Sequence, residues 1–225
     1  MALVLRGVVK RYGGRTVLDI PALRLERGTR CGILGANGAG KTTLLRLLAQ
    51  TLEPDSGSLS WEGTPLPCGY LPQKPYVFGM RVLRNVMLGL EGDRSTRQAK
   101  ALDALAQVGL EHLAQARGST LSGGEQQRLA LARLLARARP MLLLDEPTSA
   151  ADIDGAEQIE RALLAQPACQ NGLLVFTTHA PAQARRLANF LIVLHQGHIV
   201  ALGETDQVLS QPQSPEAQRF LDHMR

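Results

Sequence analysis

Two hydrophobic periods alternate along this chain. Runs in which almost every residue is apolar, RCGILG at 30–35, MLLLD at 141–145 and GLLVFTTH at 172–179, read as strands buried on both faces, the kind a parallel sheet requires. The stretches between them carry apolar residues three and four apart. KTTLLRLLAQ at 41–50 follows the first strand directly and is a helix by that measure, as is TRQAKALDALAQVGL at 96–110. Such alternation predicts an α/β fold with a mainly parallel sheet covered by helices. The opening MALVLRGVVK reads as a strand, and FLIVLHQGHIVALG at 190–203 as a hairpin turning at HQGH. Between Pro72 and Thr120 the strand signal is gone, which predicts a helical insertion over about 73–120 within one domain spanning 1–225. The end, QPQSPEAQRFLDHMR, predicts a proline-broken linker and one short helix, with no room for a regulatory domain.

Glycine marks two of the helix starts. GANGAGKTT at 35–43 stands between an apolar strand and its helix and matches G-x-x-x-x-G-K-[ST], the phosphate-binding P-loop. Gly35, Gly38 and Gly40 let the loop curl so that its N–H groups face phosphate, with Ala36, Asn37, Ala39 and Thr43 completing it. Lys41 supplies a point charge for the β and γ phosphates, and Thr42 a hydroxyl for Mg²⁺. MLLLDEP adds what a P-loop lacks. Asp145 at a strand end suits Mg²⁺ and its water shell, and Glu146, facing the cleft, suits a carboxylate that polarises an attacking water.

The second glycine-rich start is LSGGEQQ at 121–127. Ser122 and Glu125 form a capping box by spacing, and Leu131, Leu134, Leu135 and Ala138 then recur at helical intervals. Arg128, Arg133 and Arg137 are left for other faces. A capping box alone explains a good helix start. It needs neither Gly123 nor Gly124, however, and glycine costs about 1 kcal/mol relative to alanine inside a helix. The pair therefore predicts that some group comes close to the backbone here, and a helix N-terminus favours an anion.

Composition narrows the classes. A hydrophobic content of 44% supports a proper core, and 25 basic against 20 acidic residues leave a net charge of +5. That excess fits nucleotide phosphates, an anionic membrane surface, or ordinary solvated arginines. No basic tract is interleaved with aromatics, which total only 4%, so nucleic acid is not an expected partner. Cys31, Cys68 and Cys169 are odd in number and widely spaced, which predicts reduced, mostly buried thiols and no zinc site or disulfide framework. No apolar run approaches the roughly 20 residues that cross a bilayer.

With these motifs in order, the chain resembles the nucleotide-binding subunit of ATP-binding cassette (ABC) transporters over nearly its whole length. LSGGEQQ is similar to that family's signature sequence, which is far more specific than a P-loop. The resemblance implies a P-loop NTPase with a RecA-like, mainly parallel core, an antiparallel β subdomain and an inserted helical subdomain. It implies ATP and Mg²⁺ as ligands. In KRYGGRTVL, Tyr12 matches the aromatic that stacks on adenine, with Val17 beside it. In GYLPQKP, Gln73 matches the glutamine that touches Mg²⁺ or the attacking water. In VFTTHA, His179 matches the histidine that contacts the γ-phosphate and the catalytic glutamate, and in SAADID, Asp152 matches the loop crossing between subunits. Ser122, Gly123 and Gly124 would serve the nucleotide of a second cassette, so the resemblance implies a homodimer or paired cassettes. It also implies transmembrane permease subunits, a substrate-binding protein in the importer case, and a place on the cytoplasmic face of the cell membrane. The chain departs from the family at Ala151, where leucine is usual, and in AQARGST before the signature, which lacks an acidic pattern common in exporters.

An importer ATPase is the leading expectation, and QKPYVFGMRVLRNVMLGL at 73–90 resembles the matching region of tungstate, molybdate and phosphate importers. Two alternatives stand beside it: an ABC ATPase acting on nucleic acid, and an ABC subunit transmitting force to a membrane partner in envelope maintenance or cell division.

Overall fold

The structure is a computed structural model and describes residues 2–212 and 214–222. The amino-terminal half runs β1 (Ala2–Tyr12), β2 (Arg15–Glu26), β3 (Arg30–Gly35), α1 (Lys41–Leu48), β4 (Ser56–Glu62), β5 (Cys68–Leu71), α2 (Val82–Met87) and α3 (Arg94–Gln107). Then come α4 (Gly123–Leu135), β6 (Met141–Leu144), α5 (Ile153–Leu164), α6 (Pro167–Gln170), β7 (Leu173–Thr178) and α7 (Pro181–Leu187). The last elements are β8 (Phe190–His195), β9 (His198–Glu204), α8 (Thr205–Ser210) and α9 (Pro215–Asp222).

Six strands form one sheet in the order β5-β6-β7-β3-β8-β9, parallel except for β9, which pairs antiparallel with β8. A second, antiparallel sheet of three has the order β2-β1-β4. The apolar runs are the central strands because both of their faces are covered. On β6, Leu142 and Leu144 join one core with α2, α3 and α4, while Met141 and Leu143 join the other with α1 and the three-stranded sheet. Each such side chain contributes roughly 1.5–3 kcal/mol by leaving water. The helices after Pro72 are thus not a separate globule: Val82, Val86, Ala101 and Leu105 share a core with Leu129, Leu131 and the sheet.

Three helices end earlier than their periodicity suggests, each for a local reason. α1 stops at Leu48 because Gln50 turns left-handed (φ 55°), and the N–H groups of Gln50 and Thr51 donate to the carbonyls of Leu47 and Arg46, a Schellman cap. The helix expected over 96–110 starts at Arg94, capped by Asp93, and ends before Gly109 (φ 71°). α4 ends at Leu135 with its C-cap at Ala136, leaving Ala138 outside it, and Pro140 disfavours helix at Arg139 just before β6 begins. The hairpin of β8 and β9 turns at Gln196 and Gly197, both with positive φ, as a type I′ turn demands.

Candidate active site

Four parallel strands deliver their carboxyl ends to one edge of the sheet. β3 ends in Gly35, Gln73 follows β5, Asp145 follows β6, and His179 follows β7. Ligands of open α/β sheets bind in the crevice at this edge. The loop from Gly35 to Gly40 is held by close contacts only glycine permits: a Cβ on Gly35 would stand 2.5 Å from the Leu194 carbonyl oxygen, and Gly40 has φ 105°. The hairpin turn buttresses it, with the Gly197 N–H donating to the Ala39 carbonyl (3.0 Å). Lys41, only 6% exposed, donates to the carbonyls of Gly35 (2.7 Å) and Ala36 (3.2 Å). Burial lowers its pKa, and the charges of Glu146 and Asp145 oppose that shift. A cavity of about 200 Å³ is lined by residues 36–43 with Val17, Gln73 and Glu146. A neighbouring one of about 420 Å³ is lined by residues 36–39, Arg15, Thr16, Val17, His195 and Gln196.

The two acids are held very differently. Asp145 is buried, and both of its oxygens accept hydroxyl hydrogen bonds, Oδ2 from Thr42 and Oδ1 from Thr177, each at 2.7 Å. Glu146 sits in the left-handed region (φ 52°), a strained backbone for a residue with a side chain, so its surroundings must impose it. Its N–H donates to Thr177 Oγ1 (2.9 Å), and its carbonyl accepts from Gln127 Nε2 (2.7 Å) and Ser149 Oγ (3.0 Å). Its carboxylate is gripped at both oxygens: His179 Nε2 lies 2.5 Å from Oε1, and Gln73 Nε2 donates to Oε2 at 3.0 Å. His179 Nε2 also stands 3.4 Å from the Lys41 ammonium. A carboxylate fixed beside a cavity that a lysine and helix N–H groups make attractive to phosphate can orient a water and take its proton.

Comparison with known proteins decides the family. Residues 18–149 match the model described as ABC transporter. The phosphate import ATP-binding protein PstB 2 of Natronomonas pharaonis is 38% identical over 245 residues, covering 98% of this chain and 86% of that protein. The tungstate uptake system ATP-binding protein TupC of Peptoclostridium acidaminophilum is 35% identical over 214 residues, covering 92% of this chain and 99% of that protein. Among solved structures, a bacterial ABC transporter cassette determined as a dimer aligns with TM-score 0.81 at 26% identity, over 90% of this chain and 98% of that one. Its post-hydrolysis state bound to ADP and Pi aligns with TM-score 0.79. This chain belongs to the ABC transporter family. It is an ATP-binding ABC subunit and an ATPase with the P-loop NTPase fold.

Within this ABC cassette, the residues named from sequence fall into two groups. Gln73, the P-loop from Gly35 to Thr43, Asp145, Glu146, His179 and Val17 converge at the sheet edge. Tyr12, Ser122, Gly123, Gly124 and Asp152 do not: none of them lines either of those two cavities. Tyr12 is half-exposed at the end of β1 with the Lys10 ammonium 5.8 Å from its ring. Asp152 caps α5 by accepting from the Gly155 N–H (2.9 Å). At the signature the capping box is complete, with Ser122 and Glu125 bonded in both directions. The two glycines separate. A Cβ on Gly124 would stand 2.6 Å from the Ala150 carbonyl oxygen, so this ABC subunit needs that glycine for its own packing. A Cβ on Gly123 would meet nothing within 4 Å.

Three residues that motif reading passes over also hold the site. Thr177 binds both acids, while Gln127 and Ser149 hold the Glu146 carbonyl. Thr177 and Gln127 lie inside the quoted motifs VFTTHA and LSGGEQQ, and their signal is burial of a polar side chain, which needs three dimensions to see.

Proposed function

We propose that this ABC subunit works as one of a head-to-tail pair of cassettes that power an importer, with Glu146 acting on the attacking water. The observation that carries this reading is the grip on Glu146, held by His179 and Gln73 beside Lys41 and the Thr42–Asp145 pair. The P-loop N–H groups and Lys41 bind the β and γ phosphates, and Glu146 orients the water and accepts its proton. His179 and Gln73 fix the carboxylate so that no reorientation is needed when the bond breaks. Tyr12 and Val17 receive the adenine. Thr42, Asp145 and Gln73 would hold Mg²⁺. The donor set fits, because a buried carboxylate that accepts from two neutral hydroxyls, with the hydroxyl of Thr42 beside it, suits a hard cation with oxygen ligands. Bound there, Mg²⁺ supplies charge neutralisation on the phosphates.

Ser122 and Gly124 of each cassette complete the site of the other, Gly123 lets the partner's nucleotide approach, and Asp152 lies where the two subunits cross. Permease subunits dock on the exposed apolar side chains after Gln73, of which Tyr76 is 71% exposed and packs edge-on against Phe78. Val82 and Leu83 of that stretch are core. Among the described residues no helix is long and apolar enough to cross a membrane, in keeping with a pore built by other subunits on whose cytoplasmic face this one sits. The phosphate and tungstate systems of the two relatives favour an oxyanion as cargo, delivered by a substrate-binding protein.

Glu146→Gln tests the central assignment. It keeps shape and one hydrogen-bond acceptor but removes the proton acceptor, so turnover should fall about 10²–10⁴-fold while ATP binding persists. Because hydrolysis is what reopens the pair, the variant should accumulate as an ATP-dependent dimer by light scattering. Near-native turnover would remove Glu146 from this role.

A further inference from the structure

The signature helix reaches into the hydrolytic site of its own chain. Gln127, one turn inside α4, is 5% exposed although it is polar, and its side-chain amide donates to the Glu146 carbonyl at 2.7 Å and to Ser149 Oγ at 3.4 Å. Ser149 donates to the same carbonyl at 3.0 Å. One turn earlier, Gly124 lies so close to the Ala150 carbonyl that a Cβ there would stand 2.6 Å away. The first two turns of α4 are therefore the wall against which residues 146–150 rest. The left-handed conformation of Glu146 is costly, and backbone strain of that kind persists only where neighbours over-determine it. On this stretch the neighbours are Thr177 at the N–H and Gln127 with Ser149 at the carbonyl.

We infer that Gln127 is a positioning residue for Glu146: it holds the main chain of the glutamate in its strained conformation and ties that conformation to the start of α4. A displacement of Ser122–Gly124 reaches Glu146 through less than two turns of one helix. The carboxylate direction between His179 and Gln73 then depends on where α4 stands. This rests on the reading that Glu146 handles the attacking water, and the two are separable by experiment.

The test uses Gln127→Met, which keeps length and volume but has no donor, in the full chain. Losing one neutral hydrogen bond at the positioning step should lower kcat about tenfold. The dissociation constant for ATP should stay within about twofold of the parent value, because the loop that binds phosphate is untouched. Ser149→Ala, at an exposed site that leaves the core intact, should lower kcat in the same direction and by less. Because both donors share one acceptor, the double variant should depart from the product of the two single effects. Parental kcat in Gln127→Met would overturn the inference, as would kcat and ATP affinity falling together, or strictly multiplicative single effects. If Glu146→Gln abolishes turnover while Gln127→Met is parental, only the positioning role fails.

Discussion

The two glycine-rich helix starts, 35–43 and 121–127, look alike in sequence and differ in what surrounds them. At the first, chemistry gathers from the same chain: Lys41, Thr42, Asp145, Glu146, Gln73 and His179 are linked by hydrogen bonds or ion-pair contacts across four strand ends. At the second, the polar contacts of the first turn are local. Ser122 and Glu125 bond each other and Gln126 bonds back to the Leu121 carbonyl, while the link to the first cluster runs through the main chain alone, from the Gln127 amide to the Glu146 carbonyl. A P-loop is thus a complete half of a site, whereas the signature is a helix start with its own caps satisfied and Gly123 left open to the outside. Sequence similarity between two motifs does not make them equivalent. What counts is whether the fold brings further groups to them.

The sharpest way to break this contrast is to damage each start on a different chain. Lys41→Ala and Ser122→Arg should each abolish turnover in a uniform dimer, since every composite site then carries a defect. Mixed dimers should regain activity, because one of the two sites collects both lesions and the other is intact. Turnover measured on mixtures in which heterodimers have been isolated by two affinity tags would decide it. No recovery in a purified heterodimer would mean that the signature serves its own chain or that both sites must fire together.

The glycine pair sharpens the same contrast on a smaller scale. Gly124→Ala places a methyl against a backbone carbonyl that cannot move aside cheaply, which costs about 1–3 kcal/mol. In a chain of this size that lowers the thermal midpoint by about 2–4 °C per kcal/mol. Gly123→Ala meets nothing in the chain, and its better helix propensity should leave the midpoint level or raised. If the partner's nucleotide approaches this backbone, the same substitution should nevertheless slow hydrolysis. Calorimetry and turnover on the two variants therefore separate a glycine that the chain's own packing requires from one whose open space only an outside contact would need. A Gly123→Ala protein with unchanged turnover would leave that residue without a role.

Much of this was legible in the sequence because the signals are local. β3, β6 and β7 are almost wholly apolar because both of their faces are covered, and the hairpin turn carries the glycine its positive φ demands. The P-loop, Asp145 and Glu146 are legible because strand, loop and helix occur in unbroken succession. Gln127 and Thr177 were not, since a buried amide or hydroxyl makes sense only once its distant partner is placed, Glu146 for one and both acids for the other. The extent of α4 was over-read because helical spacing continues to Ala138 while the chain already leaves the helix after Leu135. The reason for Gly124 was also non-local: it faces Ala150, twenty-six residues further on in sequence.

A third helix start supplies the control, because it is capped by side chains and carries no glycine pair. Asp93 accepts from the Thr96 N–H (2.8 Å) and from Ser95 Oγ (2.7 Å) at the head of α3. These bonds, the backbone one first, hold its carboxyl down at about 2 against an ordinary 3.8. A carboxyl depressed on folding contributes stability above its unfolded value, and loses it as pH falls through its folded value. Asp93→Ala should therefore lower the urea midpoint at pH 7. The gap to the parent protein should narrow as pH drops below 3.8 toward about 2. Turnover at neutral pH should match the parent, since α3 lines neither cavity at the P-loop. A gap that stayed constant down to the lowest pH at which the chain is folded would mean the charge of Asp93 plays no part in the cap. A fall in turnover would mean that α3, too, carries more than structure.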